Sequence, residues 1–569
     1  MATKTSKLGV TAARGTLLSI ALRLASFILS QATVRFVSAA ALGKASVPLE
    51  LLLGTALFVS REGFRLALTK DYGKRIDADA AKVGRHKQQQ QMINVSWLSV
   101  PLGAIVSMFA ICLHLRTCNN KVVSNSEYEA LDYKVAGILY CLASFMESLS
   151  EPLVIRCLQQ MDVTTKAKAE GVALVMKSVS CFGCLYIKSS IWAVSAFGIS
   201  QFVYGLTFTT IMYRYGRSAS GGILWPKRIV DSTTINPYRT YSGAWKSLRR
   251  SFDYQQLWLV LIFTLQGLFK HALTEADKIV LSALAESYDQ GIYAIASSYG
   301  GLAARLLLQP IEENARLLFS RQGALLERDK QSDRTPTAEA TTSKQIDDMQ
   351  KSYSFLLRTV CLIGLLFATI AVNYTSILLR LLAGYQWGSN TEAIDALTAF
   401  CVYTSFLSLN GISEAFVYGV ARSGRDVGRL SIVHALVGGT FAFVAPGLVA
   451  NHGAVGLVAA NCICMALRSL YSLYFALIYF SNDKTCPGIG CMFEMLPHPL
   501  VAISFAVSFV ITRASRDYFY NETLMGKTWL LTSLEHIGVG VVCLCVTGAM
   551  TMWLERDIQH AIKALLKWK

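Results

Sequence analysis

The chain has 569 residues, of which 53% are apolar and only 16% charged, with a mean hydropathy of +0.40. Soluble domains run nearer a quarter charged, so this composition excludes an ordinary water-soluble globule and makes lipid the solvent. The net charge of +17 would suit a nucleic-acid binder, but its distribution along the chain assigns it to topology.

Apolar blocks of about twenty residues recur, each long enough to cross roughly 30 Å of hydrocarbon as helix. In chain order they predict spans near 15–39, 41–60, 92–113, 135–157, 168–188 and 191–213. A second set follows near 255–273, 278–309, 353–373, 392–411, 428–450 and 454–480, and a last pair near 498–513 and 530–553. The expected fold is an all-α membrane protein of about fourteen transmembrane helices. The first block holds Arg23 and Arg35 and lacks a small-residue cleavage site, so it is expected to stay as helix 1 rather than be removed as a signal.

With the N-terminus in the cytosol, the basic residues collect on one side. Arg61, Arg65, Lys70, Lys74, Arg75, Lys82, Arg85 and Lys87 follow helix 2, and Arg214, Arg217, Lys227, Arg228, Arg239, Lys246, Arg249 and Arg250 follow helix 6. The opposite connections, such as 189–191 and 451–453, are short or sparsely basic. This is the positive-inside bias, and it predicts both termini in the cytosol, with attraction to anionic membrane lipids rather than to nucleic acid.

Most of the fourteen cysteines fall inside spans, where they read as small polarizable packing residues. Cys486 and Cys491 flank Pro487 without a second pair or nearby histidines; zinc takes four ligands, so no metal site is expected. No Gly-rich phosphate loop, nucleophile elbow or zinc-protease motif occurs, and Asp77-Ala78-Asp79 stands alone in a short connection. The chain is not expected to be an enzyme or to need a cofactor. Asn373-Tyr374-Thr375 and Asn521-Glu522-Thr523 are glycosylation sequons, with Asn373 and Asn521 as acceptors.

The organisation predicted is an N-terminal six-helix bundle over 1–213, a basic cytosolic connection over 214–253, a C-terminal six-helix bundle over 254–480 with a flexible loop at 322–350, and a terminal helix pair with a tail over 481–569. A weak internal repeat supports it. Ser150-Glu151-Pro152-Leu153-Val154 in helix 4 matches Ser413-Glu414-Ala415-Phe416-Val417 in helix 10, and Arg61-Glu62-Gly63-Phe64-Arg65 corresponds to Glu312-Glu313-Asn314-Ala315-Arg316. Both relate helix n to helix n+6, which implies two bundles of the same orientation around a central cavity.

Charges inside the spans carry the functional signal, because each costs roughly 2.5–3.5 kcal/mol at mid-bilayer and must face protein or water. Arg23 and Arg35 lie about 18 Å apart along helix 1 at 1.5 Å per residue, too far to share one phosphate. Arg61 and Arg65 share a face at the cytosolic end of helix 2, as topological anchors or as a basic rim for an anionic headgroup. Glu147 and Glu151 share a face in helix 4, where pairing with a neighbouring arginine is preferred to proton coupling. Helix 8 stacks Arg305, Gln309 and Glu313 at successive i+4 positions beside Pro310 and Glu312, as a bending element that lines a cavity or as a polar seam between helices. Lys177, Glu414 and Arg468 complete the deep set, and Lys270, His271, Glu275, Asp277 and Lys278 crowd the 7–8 turn as solvated charges or as a specific ion pair.

The block Leu273-Thr274-Glu275-Ala276-Asp277-Lys278, then Asp289-Gln290-Gly291-Ile292-Tyr293, then Ala304-Arg305-Leu306 and Gln309-Pro310-Ile311-Glu312-Glu313, resembles the Rft family. The likeness extends to Arg23, Arg35, the 61–65 stretch, Glu151-Pro152, Asn410-Gly411-Ile412-Ser413-Glu414 and Ala460-Asn461-Cys462. The family commonly carries a basic residue where Pro48 stands, so no role is carried over there. The resemblance implies an endoplasmic-reticulum protein of the multidrug/oligosaccharidyl-lipid/polysaccharide exporter superfamily. It implies a dolichyl-diphosphate oligosaccharide, the heptasaccharide glycolipid of protein N-glycosylation, as the partner moved from cytosolic to lumenal leaflet.

Arg23, Arg35, Arg61, Arg65, Arg305 and Arg468 are then the candidate headgroup cations. Glu62, Glu147, Glu151, Lys270, Glu275, Asp277, Lys278, Gln309, Glu312, Glu313 and Glu414 form the candidate charge network. A non-transport accessory or glycolipid-delivery factor is the chief alternative. A cation-coupled drug exporter fits less well, since helix 1 carries arginines where such proteins hold a carboxylate, and a membrane glycosyltransferase fits least.

Overall fold

The computed structural model describes residues 28–70, 82–120, 127–160, 162–187, 192–219, 225–227, 251–332, 336–420, 424–481, 495–519, 526–555, 557 and 559. Every regular element among them is helical. Nine described helices are long and apolar enough to cross a membrane, or ten when a pair bent by 43° is taken as one span. The protein is therefore an all-helical, multi-pass membrane protein. Arg23, the Asp77–Asp79 motif, Cys486, Cys491 and Asn521 lie outside the described residues.

The chain divides into two compact units, Met1–Ser282 and Ala283–Lys569. The first holds α1 (Ala39–Lys44), α2 (Glu50–Lys70), α3 (Lys82–Trp97), α4 (Ser99–Asn120), α5 (Glu127–Leu149), α6 (Glu151–Gln159), α7 (Val163–Ile187), α8 (Ala193–Ala219) and α9 (Tyr254–Thr274), with the first turns of α10 (Ala276–Leu284). A π-turn, Ala45–Leu49, joins α1 to α2 around Pro48. Proline has no N–H and its ring displaces the carbonyl four residues back, and the wider turn accommodates both effects.

Helix α5 packs against α8 through small residues. Gly198 faces Ala136 and Gly205 faces Ala143, with a Cβ at Gly205 falling 3.0 Å from the Ala143 carbonyl. Between helices in lipid, such close backbone approach replaces the hydrophobic drive that water would supply. At the start of α8, buried Asp132 from α5 accepts hydrogen bonds from the Val194 and Ser195 amides at 3.0 and 2.8 Å. It is an N-cap supplied by another helix.

Helix α9 packs on α2. Its His271 stacks on Phe58 at 4.5 Å and lies 3.2 Å from the Thr55 hydroxyl. Gly63 lets the two backbones meet, since a Cβ there would overlap the Thr264 side chain and lie 2.7 Å from the Val260 carbonyl. On α3, Asn94 receives the Lys227 amide at 3.0 Å and donates to the Lys227 and Ser251 carbonyls at 2.8 Å each. Trp97 stacks on Trp225. One asparagine thus pins both described ends of the basic connection.

The second unit holds α11 (Ser287–Ala303), a π-turn at Ala304–Leu308, α12 (Gln309–Ser332), α13 (Pro336–Leu365), α14 (Thr375–Leu382), α15 (Tyr385–Gly388), α16 (Thr391–Val420), α17 (Gly424–Ser481), α18 (Pro499–Phe519) and α19 (Gly526–Leu554). Helix α17 is two helices joined at Gly453, whose φ of 51° is open to glycine at little cost. Phe319, Tyr353, Phe416 and Phe480 form an aromatic centre that binds α12, α13, α16 and α17.

The terminal pair, α18 and α19, is fastened to α13 and the turn after it at two levels. Near one end, Arg358 pairs with buried Glu555 at 3.3 Å, and Glu555 also accepts the His498 amide at 2.7 Å. Near the other, Asn373 donates to Thr512 at 2.8 Å, and fully buried His536 stacks on Tyr374 at 4.2 Å and contacts Ser515 at 2.9 Å. This corrects one expectation: Asn373 is 1% exposed with its amide nitrogen engaged, a packing residue rather than an accessible glycan acceptor.

Gly63→Ala should lower stability by about 1–3 kcal/mol, the usual cost of overpacking. Gly54→Ala on the same helix, where an added Cβ meets nothing within 4 Å, should be near neutral. Thermal unfolding of the two variants in detergent checks the contrast.

Candidate functional site

In the first unit, the helix carrying Glu147 and Glu151 breaks at Ser150. Pro152 opens α6, and the two segments meet at 43°. The Ser150 hydroxyl turns back to the Glu147 carbonyl at 2.7 Å, satisfying an acceptor the break exposes. Both carboxylates are buried, Glu151 to 1% exposure. Arg65 meets Glu151 with its whole fork, Nε at 2.5 Å and Nη2 at 2.7 Å. Arg61, one turn earlier on α2, reaches Glu147 through Nη1 alone at 3.3 Å. Gln201 of α8 donates to the other Glu147 oxygen at 3.2 Å, and Lys177 of α7 lies within electrostatic reach of it. Glu62 is half-buried beside this face.

The second unit repeats the buried glutamate but not its partner. Glu414 of α16 accepts from Arg468 Nη2 at 2.9 and 2.7 Å, from Asn410 at 2.9 Å, and faces His434 Nε2 at 3.4 Å. Arg468 and His434 both come from α17, on opposite sides of its bend. Nearby on α12, Glu312 pairs with Arg316 at 3.1 Å and faces Gly411, and the Arg316 guanidinium lies over the Tyr418 ring at 5.1 Å. Two buried polar atoms here have no hydrogen-bond partner among the described residues, Asn410 Oδ1 and Arg468 Nε.

Arg35 is exposed in the turn after residues 28–34. Arg305 sits in the π-turn before α12, and its side chain, like that of Lys270 on α9, lies outside what is described. A π-turn adds a residue to the helical repeat, so Arg305 is not stacked over Gln309 as a regular helix would stack it. Gln309 and Glu313 are exposed and bond to each other at 3.0 Å; the half-buried member of that stretch is Glu312. Lys278 pairs with Glu275 at 2.9 Å, and Asp277 accepts the Lys278 amide at 2.8 Å, an ion-paired turn.

The structure adds Gln201, His434 and Arg316 to the site. Gln201 and His434 lie in largely apolar helices among other polar residues, a signal visible in sequence but too weak to rank without their partners. Arg61, Arg65, Arg316 and Arg468 are each matched by a carboxylate.

A family model described as Rft protein matches residues 12–564. The chain belongs to the Rft family. Two relatives of this Rft chain bear the name Man(5)GlcNAc(2)-PP-dolichol translocation protein RFT1. That of Xenopus tropicalis is 28% identical over 97% of this chain and 95% of its own, and that of Mus musculus 27% identical over 98% and 96%. The Saccharomyces cerevisiae protein of that name is 27% identical over 79% of each chain. Among solved structures, the lipid II flippase MurJ in an inward closed conformation superposes with a TM-score of 0.54 at 14% identity. That match covers 95% of the Rft chain and 99% of MurJ and shows a shared fold.

Removing one member of the buried Arg65–Glu151 pair should destabilise by about 3–5 kcal/mol, since it strands an unpaired charge. The double change Arg65→Met with Glu151→Leu should be milder than either single change. Unfolding midpoints of the three variants read the difference.

Proposed function

We propose that this Rft protein translocates the dolichyl-diphosphate heptasaccharide from the cytosolic to the lumenal leaflet of the endoplasmic reticulum, for protein N-glycosylation. The observation that carries the reading is kinship along nearly the whole chain with relatives named as translocation proteins for a dolichol-linked oligosaccharide. The reading is transport rather than catalysis. Its finer form has fourteen crossings, six-helix bundles over 1–213 and 254–480 joined by the 214–253 connection, a terminal pair within 481–569, and both termini cytosolic.

The interior chemistry suits this substrate class. A diphosphate needs fixed cations in a low-dielectric setting, where guanidinium forks match its oxygens. Each unit holds arginines whose partners are carboxylates of the protein itself, so a polar interior exists before ligand arrives. The polyprenyl tail needs no such provision and stays in lipid. A second reading, a glycolipid-docking accessory of the same pathway, draws on one observation: Arg61, Arg65 and Arg468 are all closed on carboxylates.

Purified protein in sealed vesicles containing the dolichyl-diphosphate heptasaccharide should speed the loss of glycolipid protected from an impermeant lectin, relative to empty vesicles. An unchanged rate with retained glycolipid binding would move the conclusion to the accessory role.

A further inference from the structure

We infer that Arg61 in the first unit and Arg468 in the second are each an exchangeable cation, held on its own glutamate, Glu147 or Glu414, until a diphosphate takes it, whereas Arg65 is a fixed brace. The inference deepens the proposed function and rests on it. Three arginine–carboxylate pairs of the clusters look alike in sequence, but their geometry divides them. Arg65 commits both Nε and Nη2, and among the described residues no other donor reaches Glu151. Withdrawing Arg65 would leave a carboxylate of 1% exposure with no hydrogen bond, the costliest state for a buried charge.

Arg61 and Arg468 differ on both counts. Each contacts its glutamate through one terminal nitrogen, Nη1 in Arg61 and Nη2 in Arg468, which leaves most of the five donors of a guanidinium for another acceptor. Their side chains are also more open, 26% and 27% exposed against 19% for Arg65. Each glutamate has donors in reserve. Glu147 keeps Gln201 at 3.2 Å with Lys177 near it, and Glu414 keeps Asn410 at 2.9 Å and His434 at 3.4 Å. The buried Nε of Arg468 has no partner among the described residues and is a further donor. Gln201 and His434 are accordingly positioning residues that hold the carboxylate when its arginine turns away.

One consequence has a sign that a purely structural ion pair would not give. Neutralising the holding carboxylate frees the arginine in advance and should strengthen diphosphate binding. The test measures binding of a fluorescent short-chain polyprenyl diphosphate oligosaccharide to the full-length protein in nanodiscs, alongside unfolding temperature. Glu147→Gln and Glu414→Gln should each bind several-fold to about tenfold tighter, tenfold being 1.4 kcal/mol; Glu151→Gln should not. Arg61→Gln and Arg468→Gln should bind at least about tenfold more weakly with nearly unchanged unfolding temperature.

Arg65→Gln should chiefly lower the unfolding temperature, and Arg65→Lys, which keeps charge but loses the fork, should fall between. His434→Leu should weaken binding alone but not on top of Glu414→Gln. Inorganic pyrophosphate should compete, and phosphatidylinositol at equal concentration should not; competition by the latter would overturn the diphosphate assignment. Binding by the wild type without tightening in either Glu→Gln variant overturns this inference alone. No binding by the wild type overturns the functional reading with it.

Discussion

A carboxylate inside a membrane protein needs a cation or hydrogen-bond donors beside it, and that requirement organises both units. In the first, the break at Ser150 and Pro152 puts Glu147 and Glu151 on successive segments, and α2 answers with two arginines one turn apart. The position of α2 is therefore tied to α5 and α6 by charge as well as by packing. Through Gly63 and Phe58 it carries α9 with it. In the second, Glu414 collects donors from its own helix and from both halves of α17, so the bend at Gly453 and the charge cluster constrain the same helix.

The two units solve one problem by different means. Each buries the glutamate that follows a serine, 151 after 150 and 414 after 413. The arginine comes from α2 in the first and from α17 in the second. Arg316 of α12 instead pairs within its own helix and lies over Tyr418. A carboxylate restricts where a cation must be, but not which helix delivers it.

Much of this was legible in the sequence. Hydrophobic blocks of about twenty residues yield the helices, since length against bilayer thickness decides them. Glu147, Glu151, Glu414, Arg61, Arg65 and Arg468 stood out because charge in an apolar block is expensive. Which arginine meets which glutamate was not legible, because Arg468 and Glu414 are 54 residues apart and only packing joins them. The π-turns at Pro48 and ahead of Pro310 also escaped the periodicity, and the second shifts Arg305 off the expected Gln309–Glu313 stripe. Asn373 read as a sequon because the motif is local, whereas its burial depends on α18 and α19, more than a hundred residues later.

The cap that Asp132 places on α8 bears on how the protein is made. The residues leading into α8, Ile191 and Trp192, offer no side-chain oxygen for its first amides. Those amides close instead on a carboxylate 62 and 63 residues earlier in the chain. Among the described residues, the start of α8 is thus capped by α5. During synthesis α5 is therefore made with its aspartate still unsatisfied, until α8 follows and its first amides close on it.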